Sequence, residues 1–247
     1  MSSLKKYIGI IPARYASTRF PGKPLALIQG KPMVQRVYEQ ASTVLEMVYV
    51  ATDDERIYRA VKEFGGRVIM TSTGHASGTD RCAEAVIRVE EELGEQFDVV
   101  LNIQGDEPFI EPQQISLLME CFNDPQTDIA TLVKKASGTP EVFNPNRPKV
   151  VLGSNQQALY FSRSPIPFVR GAETEDWYRT AEFYLHIGLY AFRKEVLISV
   201  TRLPQSALEK AESLEQLRWI ENGFHISVRT TSYDSFGIDT PEDMAGL

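Results

Sequence analysis

The chain has 247 residues, 43% of them hydrophobic and 24% charged, which excludes a disordered chain and allows a large core without disulfides or a structural metal. Its net charge is −7, yet residues 1–38 contain seven basic side chains (Lys5, Lys6, Arg14, Arg19, Lys23, Lys31, Arg36) and none of the 33 acidic ones. One basic segment in an acidic chain argues against broad nucleic-acid binding, which needs an extended basic face, and for a local pocket that takes a small anion.

The first apolar stretch is too short for a secretory signal, and no run approaches the roughly 18 residues of a membrane span. Cys82 and Cys121 lack CxxC spacing and nearby histidines, so a reduced cytoplasmic protein without zinc or redox chemistry is expected.

A buried strand is predicted over 7–12. It runs into Pro12-Ala-Arg-Tyr-Ala-Ser-Thr-Arg-Phe-Pro-Gly-Lys-Pro24. This loop has neither GxxxxGK[ST] nor GxGxxG, so it is not a Walker A loop or a dinucleotide fingerprint. It still offers a triphosphate three cations (Arg14, Arg19, Lys23), the hydroxyls of Ser17 and Thr18, and a Pro-Gly turn that aims Lys23 inward. A helical stripe follows at Met33, Val34, Val37, Tyr38 and Ala41, opened by Pro32, then a strand over 47–52. Ile57, Ala60, Val61 and Phe64 make a second helix stopped by Gly65-Gly66, and 67–70 is a short strand.

After that strand stands Thr71-Ser-Thr-Gly-His-Ala-Ser-Gly-Thr-Asp-Arg81. Ser77 and Asp80 form a capping box for the helix carrying Cys82, Val86, Val89 and Leu93. The motif reads either as a cap alone or as a helix start whose free N–H groups, with Arg81, hold an anion or a base edge. His75 is expected to make local hydrogen bonds. A strand over 97–103 leads into Asn102-Ile-Gln-Gly-Asp-Glu-Pro108, where Asp106 is the candidate magnesium ligand and Gln104 the candidate for a sugar or base hydroxyl, unless Gly105-Asp106 is only a turn. A helix over 112–122 and a strand over 129–134 complete an alternation that means βαβ units, a parallel sheet, and a ligand crevice at the carboxyl ends of its strands.

From about 140 to 192 short strands (149–152, 158–162, 186–192) alternate with turns, read as a smaller lobe or an oligomer surface. Arg163 stands at a strand end and could meet a substrate carboxylate. His186 and Tyr190, both at even positions of one strand, and Glu215 and Gln216, on a helix predicted over 208–222, are candidates for sugar hydroxyls or for ordinary packing. A strand at 226–230 follows. Asp239 precedes Thr240-Pro-Glu-Asp243, a strong helix start, and could complete a metal site.

Taken in order, ARYASTRFPGKP, HASGTDR, NIQGDEP, YFSRSPIP, HIGLY, SLEQLR and GIDTPED resemble the 3-deoxy-manno-octulosonate cytidylyltransferase (CMP-Kdo synthetase) family over essentially the whole chain. The first motif alone marks only the wider group that includes CMP-sialic acid synthetases; the Kdo-specific signal lies in YFSR, HIGLY and LEQLR. The resemblance implies a nucleotide-diphospho-sugar-transferase-like (Rossmann-like) α/β fold with a mostly parallel sheet: a nucleotide-binding core at about 1–139 and 201–247, and a smaller sugar-binding and dimerisation lobe at about 140–200, in one cytidylyltransferase domain. It implies CTP + Kdo → CMP-Kdo + diphosphate with Mg²⁺, in a cytoplasmic homodimer that binds neither nucleic acid nor membrane. By the same resemblance Lys23, Arg19 and Asp106 are catalytic. Arg14, Ser17, Thr18, Arg19, Lys23, Ser77, Gly78, Arg81 and Gln104 bind nucleotide. Gln104, Arg163, His186, Tyr190, Glu215 and Gln216 bind sugar, and Asp106 and Asp239 hold the metal. A glycosyltransferase on a related sheet would carry Asp-x-Asp after the 97–103 strand, and the chain does not.

Overall fold

The computed structural model describes residues 5–16 and 20–245. Two compact units form. The first comprises Met1–Ser116, Leu189–Thr201 and Ser235–Leu247; the second comprises Leu117–Gly188 and Arg202–Asp234.

In the first unit β1 (Tyr7–Ala13) leads through a two-residue hairpin, β2 (Leu27–Ile28) with β3 (Lys31–Pro32), into α1 (Met33–Ser42). Then come β4 (Val48–Thr52), α2 (Glu55–Glu63), β5 (Val68–Met70), α3 (Gly78–Leu93), β6 (Val99–Asn102) and the start of α4 (Pro112–Cys121). β6, β1, β4 and β5 lie side by side in that order, all parallel. Every residue of β4 and β6 is buried, as befits parallel strands covered on both faces by helices. Most of the predicted stripes are buried: Met33, Val34, Val37 and Ala41 in α1, Ile57 and Val61 in α2, Cys82, Val86 and Val89 in α3; Tyr38, Ala60 and Phe64 are half-buried, and Leu93, in the last turn of α3, is exposed. Gly94, in the left-handed region at φ 66°, ends α3.

The chain runs outward from β1 to β4 to β5 and then returns to pair β6 on the other side of β1. The order therefore reverses between β1 and β6, and the carboxyl ends of those two strands flank the crevice where such sheets take ligands.

The second unit holds β7 (Ile129–Lys135), α5 (Thr139–Phe143), β8 (Lys149–Leu152), β9 (Ala158–Ser162) and α6 (Trp177–Thr180). β10 (Tyr184–Arg193) belongs to it up to Gly188 and to the first unit beyond, where α7 (Lys194–Val200) follows. α8 (Ala207–Glu212), α9 (Glu215–Glu221) and β11 (Ile226–Thr230) complete it. β11 pairs β7 in parallel, while β8 pairs β10 and β9 antiparallel. Trp177 packs in a small core with Val142, Val169 and Phe183.

Three expectations differ from the structure. The helix expected over 208–222 is two, because Ser213 turns left-handed at φ 52° and ends α8, which has its own capping box at Ser206 and Glu209. The leucines continue a helical rhythm across that break, which hid it. The strong helix start at Thr240 has its capping box but makes only a 3-10 turn, Pro241–Met244. The second unit exceeds the 140–200 lobe, because β7, α8, α9 and β11 pack with β8, β9 and the first half of β10. Among the described residues, no helix is long and apolar enough to cross a membrane.

Candidate active site

The carboxyl ends of β1 and β6 open onto a cleft of about 250 Å³, lined by Pro12 and Ala13 at the end of β1 and Arg14 after it, by Gln104, Gly105 and Asp106 after β6, by residues 75–78 and Arg81 leading into α3, and by Lys23, Pro24 and Asp239. Gly105 is needed at its floor, because a Cβ there would stand 2.9 Å from the Pro12 carbonyl oxygen. Gly105→Ala should therefore push the Gln104–Asp106 segment off β1 and cost about tenfold or more in turnover together with a lowered melting temperature. Unchanged kinetics would show that the two strand ends tolerate separation.

Lys23 is the electrostatic centre of the cleft. Its Nζ donates to Asp106 Oδ2 at 2.7 Å, to the Ile238 carbonyl at 2.9 Å and to Asp239 Oδ1 at 3.4 Å. Gly22, left-handed at φ 74°, delivers Lys23 into its short 3-10 turn. Its amide donates to the Tyr15 carbonyl at 2.9 Å and closes the loop. The C-terminal segment is stitched down beside it: Ile238 N–H donates to the Asp106 carbonyl at 2.9 Å, and Ser235 Oγ donates to Glu107 Oε1 at 2.6 Å. Burial pushes the Glu107 carboxyl up to about 7, with Asp106 adding to the rise and the Ser235 hydrogen bond opposing it.

α3 begins with the capping box of Ser77 and Asp80, so the positive end of a 16-residue helix faces the cleft. Arg81 lines it but is nearly buried. Its guanidinium donates to Asp53 Oδ2 at 2.9 Å, Thr71 Oγ1 at 2.6 Å and the Ser72 carbonyl at 3.3 Å. His75 pairs with Glu84 through Nε2.

In the second unit Arg163 follows β9. Its Nε donates to the Glu212 carbonyl at 2.7 Å, Nη1 to the Pro145 carbonyl at 3.0 Å and Nη2 to the Ser213 carbonyl at 3.3 Å. Glu215 opens α9 and accepts from Arg218 Nη2 at 2.7 Å. Gln216 is 5% exposed, and its Nε2 has no partner among the described residues. His186 packs edge-on against Phe161, and its Nε2 lies 3.1 Å from Thr131 Oγ1. The same hydroxyl lies 3.1 Å from the Ile187 carbonyl.

A sequence model of the cytidylyltransferase family matches residues 8–228. The chain is 60% identical over 245 residues to a 3-deoxy-manno-octulosonate cytidylyltransferase of Parabacteroides distasonis, covering 98% of this chain and 96% of that protein. It is 51% identical over 247 residues to the Cytophaga hutchinsonii protein of the same name, covering 99% and 97%. This chain belongs to the 3-deoxy-manno-octulosonate cytidylyltransferase family. A solved CMP:2-keto-3-deoxy-manno-octonic acid synthetase, complexed with CTP, superposes with a TM-score of 0.86 at 44% identity, covering 96% of this chain and 95% of its own. A Leptospira borgpetersenii cytidylyltransferase, at 17% identity and TM-score 0.59 over 97% of this chain and 84% of its own, shares the fold.

Within this family member the cleft gathers Arg14, Lys23, Ser77, Gly78, Arg81, Gln104, Asp106 and Asp239 from five stretches of chain. Arg14 is exposed at its rim. Ser17, Thr18 and Arg19 lie outside the described residues. Arg163, His186, Glu215 and Gln216 belong to the second unit, and Gln104 and Tyr190 to the first. Arg163, expected to meet a substrate carboxylate, spends a donor from each of its three nitrogens on main-chain carbonyls; its remaining N–H groups are on Nη1 and Nη2. Sequence reading missed Asp53, which holds Arg81, and Glu107, which holds Ser235. Both stand where it looked, just past a strand, and Asp53 could have been flagged as a carboxylate at the carboxyl end of β4.

Burial pushes the His186 imidazole down from 6.5 to about 3, so it stays neutral at pH 7. Between those two values the unfolded chain binds the extra proton, and stability falls as pH drops through that window. The melting temperature of the wild type should decline more steeply from about pH 7 to pH 5 than that of His186→Asn. Parallel slopes would remove His186 from the acid response.

Proposed function

We propose that this chain transfers the cytidylyl group of CTP to the anomeric hydroxyl of 3-deoxy-manno-octulosonate (Kdo) and releases diphosphate, supplying an activated sugar acid for lipopolysaccharide synthesis. The observation that carries the reading is Lys23 held between Asp106 and Asp239 at the switch point of the sheet. The 60% identical 3-deoxy-manno-octulosonate cytidylyltransferase and the CTP complex of the 44% identical structure support it.

The two carboxylates lie on one ammonium nitrogen and so stand near each other. Paired hard oxygen donors in a cleft open to phosphate oxygens suit Mg²⁺, which is ordinarily bound by one or two carboxylates plus substrate phosphates. When bound there, Mg²⁺ supplies charge neutralisation at the reacting phosphate. The chain's own residues do the rest. Lys23 moves from carboxylate to phosphate and, with Arg14 and Arg19, balances the triphosphate charge. The amino end of α3 at Ser77 and Gly78 adds N–H donors, and Gln104 positions a hydroxyl between the substrates. In the second unit Arg163 takes the sugar carboxylate, while His186, Glu215 and the open amide of Gln216 take hydroxyls. In-line displacement at the α-phosphorus asks for positioning and charge balance, so no covalent intermediate is required.

We further take the enzyme as a cytoplasmic homodimer. The buried free thiols of Cys82 and Cys121 favour a reducing compartment. Phe168, 74% exposed and edge-on to Trp177, favours an apolar contact surface.

Diphosphate release measured across the four nucleoside triphosphates and two sugar acids tests the reading. CTP, Kdo and Mg²⁺ together should be required. Turnover of N-acetylneuraminate but not Kdo would move the chain to the sialate branch, and release with no sugar acid present would overturn transfer altogether.

A further inference from the structure

Lys149, at the start of β8, is fully buried, yet among the described residues its ammonium forms no ion pair. It donates instead to two main-chain carbonyls, Asn144 at 2.8 Å and Arg163 at 2.6 Å. Withdrawing an ammonium from water is costly, and two neutral acceptors offset only part of the loss. Burial accordingly pushes Lys149 down to about 8, against the pull of Glu212. Nothing in the proposed chemistry uses this charge.

Its partners say what it does. Asn144 precedes Pro145, whose carbonyl accepts from Arg163 Nη1 at 3.0 Å. Lys149 and Arg163 therefore grip successive carbonyls of one turn, and Lys149 also grips the main chain of Arg163 itself. On the other side Glu212 accepts from Ser162 Oγ at 2.6 Å and from the Arg163 amide at 2.9 Å, while its carbonyl and that of Ser213 take the guanidinium. Ser213 leads directly into Leu214, the cap of α9, and so into Glu215 and Gln216.

We propose that Lys149 is a positioning residue for the sugar-acid site: by tying the 144–145 turn to the end of β9 it fixes the plane and reach of the Arg163 guanidinium. The inference rests on the reading of Arg163 as the group that meets the sugar carboxylate. Fork recognition of a carboxylate depends on the orientation of the guanidinium plane, so a small displacement weakens it sharply.

Steady-state kinetics of Lys149→Met, which keeps the volume and loses the donor, test it. Wild-type turnover of CTP with Kdo is measured first; its absence overturns the proposed function and not the role of Lys149. With that turnover in hand, Lys149→Met should raise KM for Kdo about tenfold or more and leave KM for CTP within about twofold. In an Arg163→Lys background the same substitution should add little, because it acts through the guanidinium already removed. A purely structural lysine would lower the melting temperature without moving KM for Kdo selectively. An unchanged KM for Kdo, equal rises in both KM values, or full additivity with Arg163→Lys would each overturn the proposal. Should Lys149→Met fail to fold, Glu212→Gln weakens the opposite side of the same clamp and should also raise KM for Kdo selectively, and an unchanged value there overturns the clamp.

Discussion

Replacing Asp106 with alanine is expected to lower kcat for diphosphate release about a thousandfold while leaving the circular dichroism spectrum and the melting temperature near those of the wild type. The two halves of this expectation have different sources. The carboxylate is one of two facing the same cation, at the carboxyl end of a strand beside the switch point, and phosphoryl-type transfer depends on charge placed at that spot. Its contribution to folding is small, because the Asp106 side chain is 32% exposed and its ion pair with Lys23 is screened. Lys23 also keeps the Ile238 carbonyl and Asp239 when Asp106 is lost. Asp239, 50% exposed and 3.4 Å from Lys23, should cost less when replaced. Near-normal rates in the Asp106 variant would take the chemistry out of this cleft.

The second large effect belongs to Lys23→Met, which should reduce kcat/KM for CTP by about two to three orders of magnitude. In the ligand-free enzyme the Lys23 ammonium is the shared counter-charge of Asp106 and Asp239, and a phosphate group draws it away from both. Removing it takes the shared counter-charge from both carboxylates. Manganese binding without nucleotide, followed by electron paramagnetic resonance, should therefore tighten in Lys23→Met while CTP binding weakens. If both affinities stay at the wild-type values, Lys23 is a surface lysine and not the counter-charge of the site.

Much of this architecture was readable in the residues. The period-3.6 stripes of α1, α2 and α3 were legible because each buries one face against a parallel sheet, and β4 and β6 because strands buried on both faces are apolar throughout. The Ser77–Asp80 box marked the start of α3 because an N-terminal cap is a local hydrogen-bond pattern that leaves a local sequence trace. The break at Ser213 left none: a serine in the left-handed region satisfies tertiary carbonyl contacts to Arg163 that no local window contains. A second lobe was expected, but its bounds were not legible, since β11 pairs with β7 from almost a hundred residues away in sequence. In the site, the loop after β1 announced its cations by composition. The pairing of Lys23 with Asp106 and Asp239 spans more than 200 residues and appears only once the C-terminal segment is laid down by Ile238 and Ser235. Arg163 shows the limit in the other direction. Residue type suggested a carboxylate partner, and the fold gives its guanidinium three carbonyls first.

The most direct test is a crystal structure of the protein with CTP and Mg²⁺ bound. The triphosphate should lie between Lys23 and the amino end of α3, with Lys23 transferred from Asp106 to a phosphate oxygen and Asp106 turned to the metal. A nucleotide bound elsewhere, with Lys23 still on Asp106 and Asp239, would contradict the account.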